Sequence, residues 1–154
     1  MLRRGRVGQL QTFEGSRNSH FHMEDSSLRA DGIRFFDAFV SAFESFDGHE
    51  LARRYAAPYA SVQADGSLKS FATQAAISAY FQRVLDDYWN SGCRSCRFSD
   101  LEVKPLGERC LLATVTWELL DEHKNVLSYW RESYGLRRLA NSLDIFASVD
   151  HAEK

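Results

Sequence analysis

The chain has 154 residues, of which 44% are hydrophobic and 26% charged, a composition that predicts one globular domain able to fold without a metal or disulfide. Nineteen basic and twenty-one acidic residues give a formal net charge of −2, without the basic excess of a nucleic-acid-binding surface. No apolar run approaches the roughly 18 residues of a membrane-spanning helix. We therefore expect a soluble protein that binds neither nucleic acid nor membrane.

The first 27 residues differ in composition from the rest of the chain. Residues 1–22 hold four arginines against one acidic residue, Glu14, and they lack the apolar core of a secretory signal. We interpret residues 1–27 as an N-terminal leader, either disordered or an extended start of the chain. A targeting segment and a structured arm are the alternatives. The folded domain is expected over residues 28–151.

Two helices are predicted at the start of this domain. Apolar residues, most of them phenylalanine, recur at helical spacing from residue 28 or 31 to residue 46. Asp47 and Glu50 resemble the capping box of a second, short helix that ends before Pro58. The two helices are therefore expected to follow one another directly.

A hairpin and a third helix come next. Asp65-Gly66 is the strongest short hairpin signal, and it separates predicted strands over residues 59–64 and 67–71. Thr73 is expected to cap a third helix that ends at Ser91-Gly92. This helix has the cleanest apolar period in the chain.

Four strands are predicted after Cys93, over residues 94–105, 109–120, 125–138 and 142–150. Their short connections favour antiparallel pairing. The resulting order, ααββαββββ, indicates an α+β domain whose helices lie on one face of a long, strongly curved sheet. A sheet coiled around one helix leaves the wide end of the cone partly unfilled, and that opening is the expected ligand site.

The convex face of this sheet is also expected to be covered. Residues 111–117 are apolar at both alternating sets of positions, which indicates a strand buried on both faces. We therefore expect a homodimer that forms through the sheet.

Three cysteines, Cys93, Cys96 and Cys110, make an odd count in a chain without an export signal, which favours a reducing, cytoplasmic location. Cys93 and Cys96 have the spacing of half a zinc site or a redox pair. No second pair and no HxxxH motif follow them. We therefore predict buried or half-buried thiols, no metal and no cofactor.

The element order, the aromatic first helix, the Asp-Gly hairpin and the closing segment over residues 143–151 resemble the nuclear transport factor 2-like superfamily. This superfamily includes SnoaL-like polyketide cyclases and ketosteroid isomerases. The resemblance covers about residues 28–151 and implies a cystatin-like, cone-shaped barrel that is often dimeric. Its pocket serves isomerases, dehydratases, cyclases and binding proteins alike, so the fold does not choose among them.

A match to the ketosteroid isomerases places their catalytic tyrosine at Phe39, their base at Gln63 and their second hydrogen-bond donor near Tyr134. Phe39 has no hydroxyl group, and Gln63 cannot accept a proton at neutral pH. We therefore expect that the chain does not isomerise ketosteroids.

The same match, combined with the two-residue period of a strand, predicts which side chains line the pocket. The predicted ligand-binding residues are Phe39, Tyr59, Gln63, Trp130 and Tyr134, together with Glu132. A β-bulge would reverse this assignment, because it exchanges the two faces of a strand. A stacking platform of Trp89, Trp117 and Trp130 is a further idea, although Trp117 and Trp130 are expected on opposite faces.

Glu132 and Asp150 are the candidate catalytic residues. A carboxylate held between Trp130 and Tyr134 in a poorly solvated pocket is expected to have a raised pKa and to act as a general acid or base. An ion pair with an arginine such as Arg53 or Arg97, or exposure to water near the end of the strand, is the alternative for Glu132.

Asp150 closes the last strand next to His151. Since adjacent strand residues face opposite sides, only one of the two is expected in the pocket.

Three hypotheses for function follow. The first is a protein that binds a small apolar or aromatic molecule. The second is an isomerase, dehydratase or cyclase that uses Glu132 or Asp150 as its acid-base group. The third is a structural dimer module whose pocket is filled by its own side chains.

Overall fold

The computed structural model describes residues 15–152, with side chains from residue 26 onward. The elements, in chain order, are α1 (Gly15–Glu44), α2 (Gly48–Ala52), β1 (Tyr55–Val62), β2 (Leu68–Phe71), α3 (Gln74–Asn90), β3 (Ser95–Leu106), β4 (Cys110–Leu120), β5 (Val126–Arg138) and β6 (Leu143–Asp150). The predicted α+β order of three helices and six strands is confirmed.

All six strands belong to one sheet, with the order β2-β1-β6-β5-β4-β3. β1 and β6 pair in parallel, whereas every other neighbouring pair is antiparallel. Register shifts interrupt the ladders between β1 and β6, β3 and β4, β4 and β5, and β5 and β6. Such shifts bend the strands, so the sheet curves around the helices as predicted.

The first helix is longer than the apolar pattern predicts, because it begins at Gly15 rather than at residue 28 or 31. Residues before 28 lack the apolar repeat on which the prediction depended, but helix elongation needs only one further backbone hydrogen bond per residue. Residues 15–27 of the predicted leader are therefore helical, whereas residues 1–14 lie outside the described residues. None of the helices described is long and apolar enough to cross a membrane.

The two shorter helices begin at the predicted caps. The side chain of Asp47 accepts a hydrogen bond from the backbone N–H of His49 at 2.8 Å, and Thr73 accepts one from Ala76 at 3.1 Å. Gly48 then lies directly against α3, where a Cβ atom would come within 2.6 Å of the backbone nitrogen of Gln82.

The start of β1 differs from the prediction. The short helix α2 ends at Ala52, and the strand begins at Tyr55 and runs through Pro58. Proline lacks the N–H that a strand ladder needs, but here the register with β6 shifts between Tyr55 and Ala60. The irregular ladder therefore accommodates Pro58, although a proline in the sequence normally indicates that a segment is not a strand.

Aromatic side chains of α1 fill the centre of the cone. Phe36 has no exposed surface, and its ring centroid lies 5.4 Å from that of Tyr134. Phe39 lies one turn further along the helix, with its ring 5.2 Å from that of Trp117. Each buried ring contributes roughly 1.5–3 kcal/mol to stability. The core around Phe36 is closed, so any space that remains lies toward Phe39 and the wide end.

Candidate functional site

A cavity of about 330 Å³ occupies the wide end of the cone. Residues of α1, α2 and α3 form one wall, and residues of β1, β3, β4, β5 and β6 form the other. All seven predicted site residues border it: Phe39, Tyr59, Gln63, Trp130, Glu132, Tyr134 and Asp150. The structure therefore brings these side chains together, while their roles in binding or catalysis stay predictions. The cavity volume falls within the range of known ligand pockets, which disfavours the filled-pocket hypothesis.

The strand β5 shows why its alternate residues share the cavity. Trp130, Glu132 and Tyr134 pair with β4 in one continuous register and all border the cavity. Ser133 faces the convex side, where its hydroxyl group lies 2.7 Å from that of Thr114. No bulge falls between Trp130 and Tyr134, so the predicted assignment of faces holds there.

The expectation that Trp117 and Trp130 lie on opposite faces is wrong. The two residues are direct partners in the β4–β5 ladder, and both border the cavity. Cross-strand partners always share a face, but the register that pairs them cannot be read from either strand alone. Trp89 lies elsewhere, half-exposed, with the guanidinium group of Arg94 stacked 3.5 Å from its ring centroid. The three tryptophans therefore form no common platform.

Glu132 is held at the cavity wall by hydrogen bonds. Its side chain is 9% exposed, and the indole Nε1–H of Trp130 donates to its Oε1 atom at 2.8 Å. Asp150 lies directly across the ladder on β6, on the same face. The candidate base is thus a buried carboxyl group next to a second carboxyl group.

An ion pair of Glu132 with Arg53 or Arg97 does not form. Arg53 pairs with Glu50 at 3.6 Å, and Arg97 pairs with Glu118 on the opposite face of the sheet at 3.0 Å. Both arginines thus have carboxylate partners of their own, and the ion-pair alternative for Glu132 is wrong.

The protonation of Glu132 follows from these surroundings. Burial removes water from the carboxylate and the negative charge of Asp150 repels it, which together raise the pKa of Glu132 from its ordinary value of 4.5 to about 8. Hydrogen bonds from Trp130 and Tyr134 favour the charged form and partly oppose this rise. Glu132 is therefore mostly protonated at neutral pH and can donate a hydrogen bond.

The hydroxyl groups of Tyr59 and Tyr134 both have hydrogen-bond partners. The hydroxyl groups of Tyr59 and Ser148 lie 2.6 Å apart, and the indole N–H of Trp117 donates to the hydroxyl oxygen of Tyr134 at 2.7 Å. Burial raises the pKa of both tyrosines, so they are neutral at physiological pH. The hydroxyl oxygen of Tyr134 accepts this hydrogen bond, and its O–H group donates one to Glu132.

The positions that match the catalytic tyrosine and base of ketosteroid isomerases carry no acid-base group. Phe39 presents only its ring, and the amide nitrogen of Gln63 donates to the hydroxyl oxygen of Ser61 at 2.9 Å. These contacts are compatible with the expectation from sequence that the chain does not isomerise ketosteroids.

Asp150 and His151 lie at the mouth of the cavity and diverge there. Asp150 is half-buried and faces Glu132, whereas the Nε2 atom of His151 lies 2.8 Å from the hydroxyl group of Ser133 on the convex side. The imidazole is thus directed at Ser133, but both residues border the cavity, so the expectation that only one of them would lie there is wrong.

The sequence reasoning missed several residues that border the cavity. Tyr55 lies in the part of β1 that was not predicted as strand. Tyr80 and Tyr88 are part of the apolar period of α3, but that period does not say which turns of the helix cover a cavity and which cover the core. The aromatic character of this helix face was the available signal.

Cys93 and Cys96 are free, buried thiols. The thiol of Cys93 lies 3.4 Å from the backbone oxygen of Ser95, and Cys96 borders the cavity. Burial raises the pKa of both thiols, which lowers their reactivity. Within residues 26–152, no three side chains of the metal-ligating types come together.

The family model of NTF2-like protein (DUF6841) matches residues 30–153. The chain therefore belongs to this NTF2-like family. No curated protein matches the chain in sequence.

Solved structures show the same fold at low sequence identity. An NTF2-like protein with a cystatin-like fold from Novosphingobium aromaticivorans superposes with a TM-score of 0.66 at 11% identity, covering 92% of each chain. Aln2 from a Streptomyces species gives a TM-score of 0.66 at 15% identity, over 82% of this chain and 91% of its own. A protein described as a proposed dehydratase of the NTF2-like family from Streptomyces avermitilis gives 0.62 at 14% identity, over 85% and 99%. The cystatin-like, cone-shaped fold is thereby confirmed.

Proposed function

We propose that the protein binds a small, largely apolar or aromatic molecule in the cavity at the wide end of the cone. The observation that carries this proposal is the cavity itself, about 330 Å³ in volume and bordered by many aromatic side chains. A few convergent polar groups, Glu132, Asp150 and Gln63, supply the orientation that a specific ligand requires.

A neutral fluorescent probe, N-phenyl-1-naphthylamine, tests this proposal together with native mass spectrometry of the purified protein. We expect one probe molecule per chain, or a co-purified ligand of matching stoichiometry. Val84→Trp adds an indole ring at the cavity wall and should weaken probe binding by about tenfold or more. Val126→Trp, the same change at an exposed position outside the cavity, is the control and should leave binding unchanged. Absence of both probe and ligand from the wild-type protein would refute the proposal.

An acid-base enzyme is the second candidate, and one arrangement favours it. The protonated carboxyl group of Glu132 lies opposite Asp150, so one group can donate a proton while the other accepts one, as isomerases, dehydratases and cyclases require. The similarity to the Streptomyces avermitilis protein agrees with this class. A carboxyl-carbon NMR titration of Glu132, identified by its loss in Glu132→Gln, is the test. A midpoint near the ordinary value of 4.5 would exclude Glu132 as the acid-base group.

We also propose that two copies of the chain pair through the convex face of the sheet. Leu106, Leu112 and Val149 are 47%, 37% and 42% exposed, and they lie on this face. Burying such side chains against a second copy would remove them from water. Sedimentation of the wild-type protein should report a dimer that Leu112→Glu dissociates, while Leu68→Glu on β2 leaves it intact. A wild-type monomer would refute the proposal.

A cytoplasmic location is proposed for the same chain. Its three cysteines are free, and two of them are buried as thiols within the fold. A reducing compartment keeps such thiols in this form. Fractionation of the source cells should recover the protein with cytoplasmic markers, and recovery from an extracellular fraction would contradict this proposal.

A further inference from the structure

The charge on the cavity wall is one-sided. Glu132 and Asp150 border the cavity, and among the described residues no lysine or arginine does. Lys69 and Arg83 border a separate surface depression that shares Tyr80 with the cavity, and the Lys69 Nζ atom lies 5.1 Å from the centroid of that tyrosine ring. Among the described residues, no lysine or arginine therefore faces the two carboxyl groups in the cavity, and His151, which also borders it, directs its Nε2 atom at Ser133.

Aromatic side chains surround these two carboxyl groups. The faces of such rings attract cations, most strongly where water is excluded. Burial raises the pKa of Tyr59 and Tyr88, so the tyrosines bring ring faces and neutral hydroxyl groups rather than further charge.

We propose that the cavity takes a protonated amine carried on an aromatic or apolar body, with its ammonium group held by Glu132 and Asp150. This inference rests on the proposed function, since it names the chemical class of ligand for the same cavity. An ammonium group has several N–H donors, which can bind both carboxyl groups. The aromatic rings of the cavity can pack against the apolar body of the ligand. An anionic ligand would be repelled by Asp150.

The alternative is a neutral ligand that accepts a hydrogen bond from protonated Glu132. The two ligand classes require opposite protonation states. An ammonium ion is bound best when Glu132 has released its proton to solvent, whereas a neutral acceptor needs that proton in place.

Several charged or titratable groups near Glu132 influence whether its carboxyl group is protonated. They are Asp150 and His151 at the end of β6, Tyr134 on β5, Tyr55 and Tyr59 on β1, Tyr80 and Tyr88 on α3, and Cys96 on β3. Burial raises the pKa of the cysteine and of the tyrosines, and the imidazole of His151 is directed at Ser133. The negative charge of Asp150 is thus the neighbouring charge that raises the pKa of Glu132.

Calorimetric titrations with three matched indoles test the inference. Tryptamine carries an ammonium group, tryptophol replaces it with a hydroxyl group, and indole-3-acetate carries a carboxylate. At about pH 8.5, where Glu132 has released most of its proton, tryptamine should bind at least about tenfold more tightly than tryptophol, with indole-3-acetate the weakest. Between about pH 6.5 and pH 8.5 the affinity for tryptamine should rise, by at most about tenfold per pH unit, with proton release visible in buffers of different ionisation enthalpy.

Glu132→Gln and Asp150→Asn should each reduce the preference for tryptamine over tryptophol by about tenfold. Glu108→Gln, the same type of change in an exposed turn, is the control and should leave this preference unchanged. Binding of N-phenyl-1-naphthylamine shows whether each variant keeps its cavity. Equal or tighter binding of tryptophol, or no binding of any indole by a protein that binds the neutral probe, overturns the amine inference and leaves the proposed function standing. Failure of the neutral probe and absence of a co-purified ligand refute the proposed function itself.

Discussion

Glu118 and Glu132 lie on neighbouring strands, but on opposite faces of the sheet, and their surroundings differ accordingly. On the convex face, Arg97 donates to Glu118 at 3.0 Å, and this hydrogen bond lowers the pKa of Glu118. On the concave face, burial beside Asp150 raises the pKa of Glu132. The face of the sheet, rather than the residue type, therefore decides whether a glutamate here is a surface charge or a buried acid.

The two faces also differ in how they are stabilised. Concave residues of β4 such as Ala113 and Val115 have no exposed surface. Convex residues of the same strand use polar contacts instead, such as the bond from Arg131 to the hydroxyl oxygen of Thr116 at 3.1 Å. The concave face is thus stabilised mainly by the burial of apolar side chains. The convex face is stabilised in part by hydrogen bonds between polar side chains.

The largest expected difference between the two faces is in the loss of stability when a leucine is replaced by alanine. Leu136→Ala, at a concave position with no exposed surface, should lower the free energy of unfolding by about 2–5 kcal/mol. Leu112→Ala, at a convex position that is 37% exposed, should cost less than about 1 kcal/mol. Urea denaturation measures both. Equal costs would contradict the comparison, and a cost at Leu112 that grows with protein concentration would indicate a partner on the convex face.

The next largest expected loss of stability comes from the close contact between Gly135 and Phe146 on the convex face. A Cβ atom at Gly135 would come within 2.7 Å of the ring of Phe146, at the point where the β5–β6 ladder shifts register. Gly135→Ala should therefore destabilise the protein by about 1–3 kcal/mol in urea denaturation. In a Phe146→Ala background the same change should cost much less. A full cost in that background would show that the ring is not the obstacle.

The sequence predicted the parts of this fold that depend on local signals. The caps at Asp47 and Thr73 and the bounds of β3 to β6 come from polar capping residues, strand alternation and Gly or Pro breaks, which act within a few residues. The path through Pro58 could not be predicted, because only the shifted ladder with β6 makes a proline acceptable there.

The same distinction applies to the candidate site. The shared face of Trp130, Glu132 and Tyr134 follows from the two-residue period of one strand. The pairing of Trp117 with Trp130 and the position of Tyr88 over the cavity depend on register and on how α3 packs against the sheet. Those are tertiary contacts, and no pattern within one element encodes them.

The pH dependence of stability separates the two glutamates by its sign. Because the pKa of Glu132 is higher in the folded protein, its contribution is fully present below about pH 4.5 and is lost as the pH rises toward about 8, at up to about 1.4 kcal/mol per pH unit. The pKa of Glu118 is lowered on folding, so its contribution is lost as the pH falls through the acid range. Denaturation of Glu132→Gln and Glu118→Gln against the wild-type protein measures each. A wild-type minus Glu132→Gln difference that is flat between pH 5 and 8 would contradict the raised pKa.

The smallest expected effect is a change in the pKa of Glu132 when its hydrogen bond with Trp130 is removed. Trp130→Phe removes the indole N–H that donates to Glu132 at 2.8 Å. That bond favours the carboxylate, so its loss should raise the pKa of Glu132 further, by about one pH unit or less. Trp117→Phe is the matched control, because its indole donates to Tyr134 and reaches Glu132 only through that hydroxyl group. Carboxyl-carbon NMR titration compares the two variants. A lower midpoint in Trp130→Phe would show that the indole acts by excluding water rather than by donating to the carboxylate.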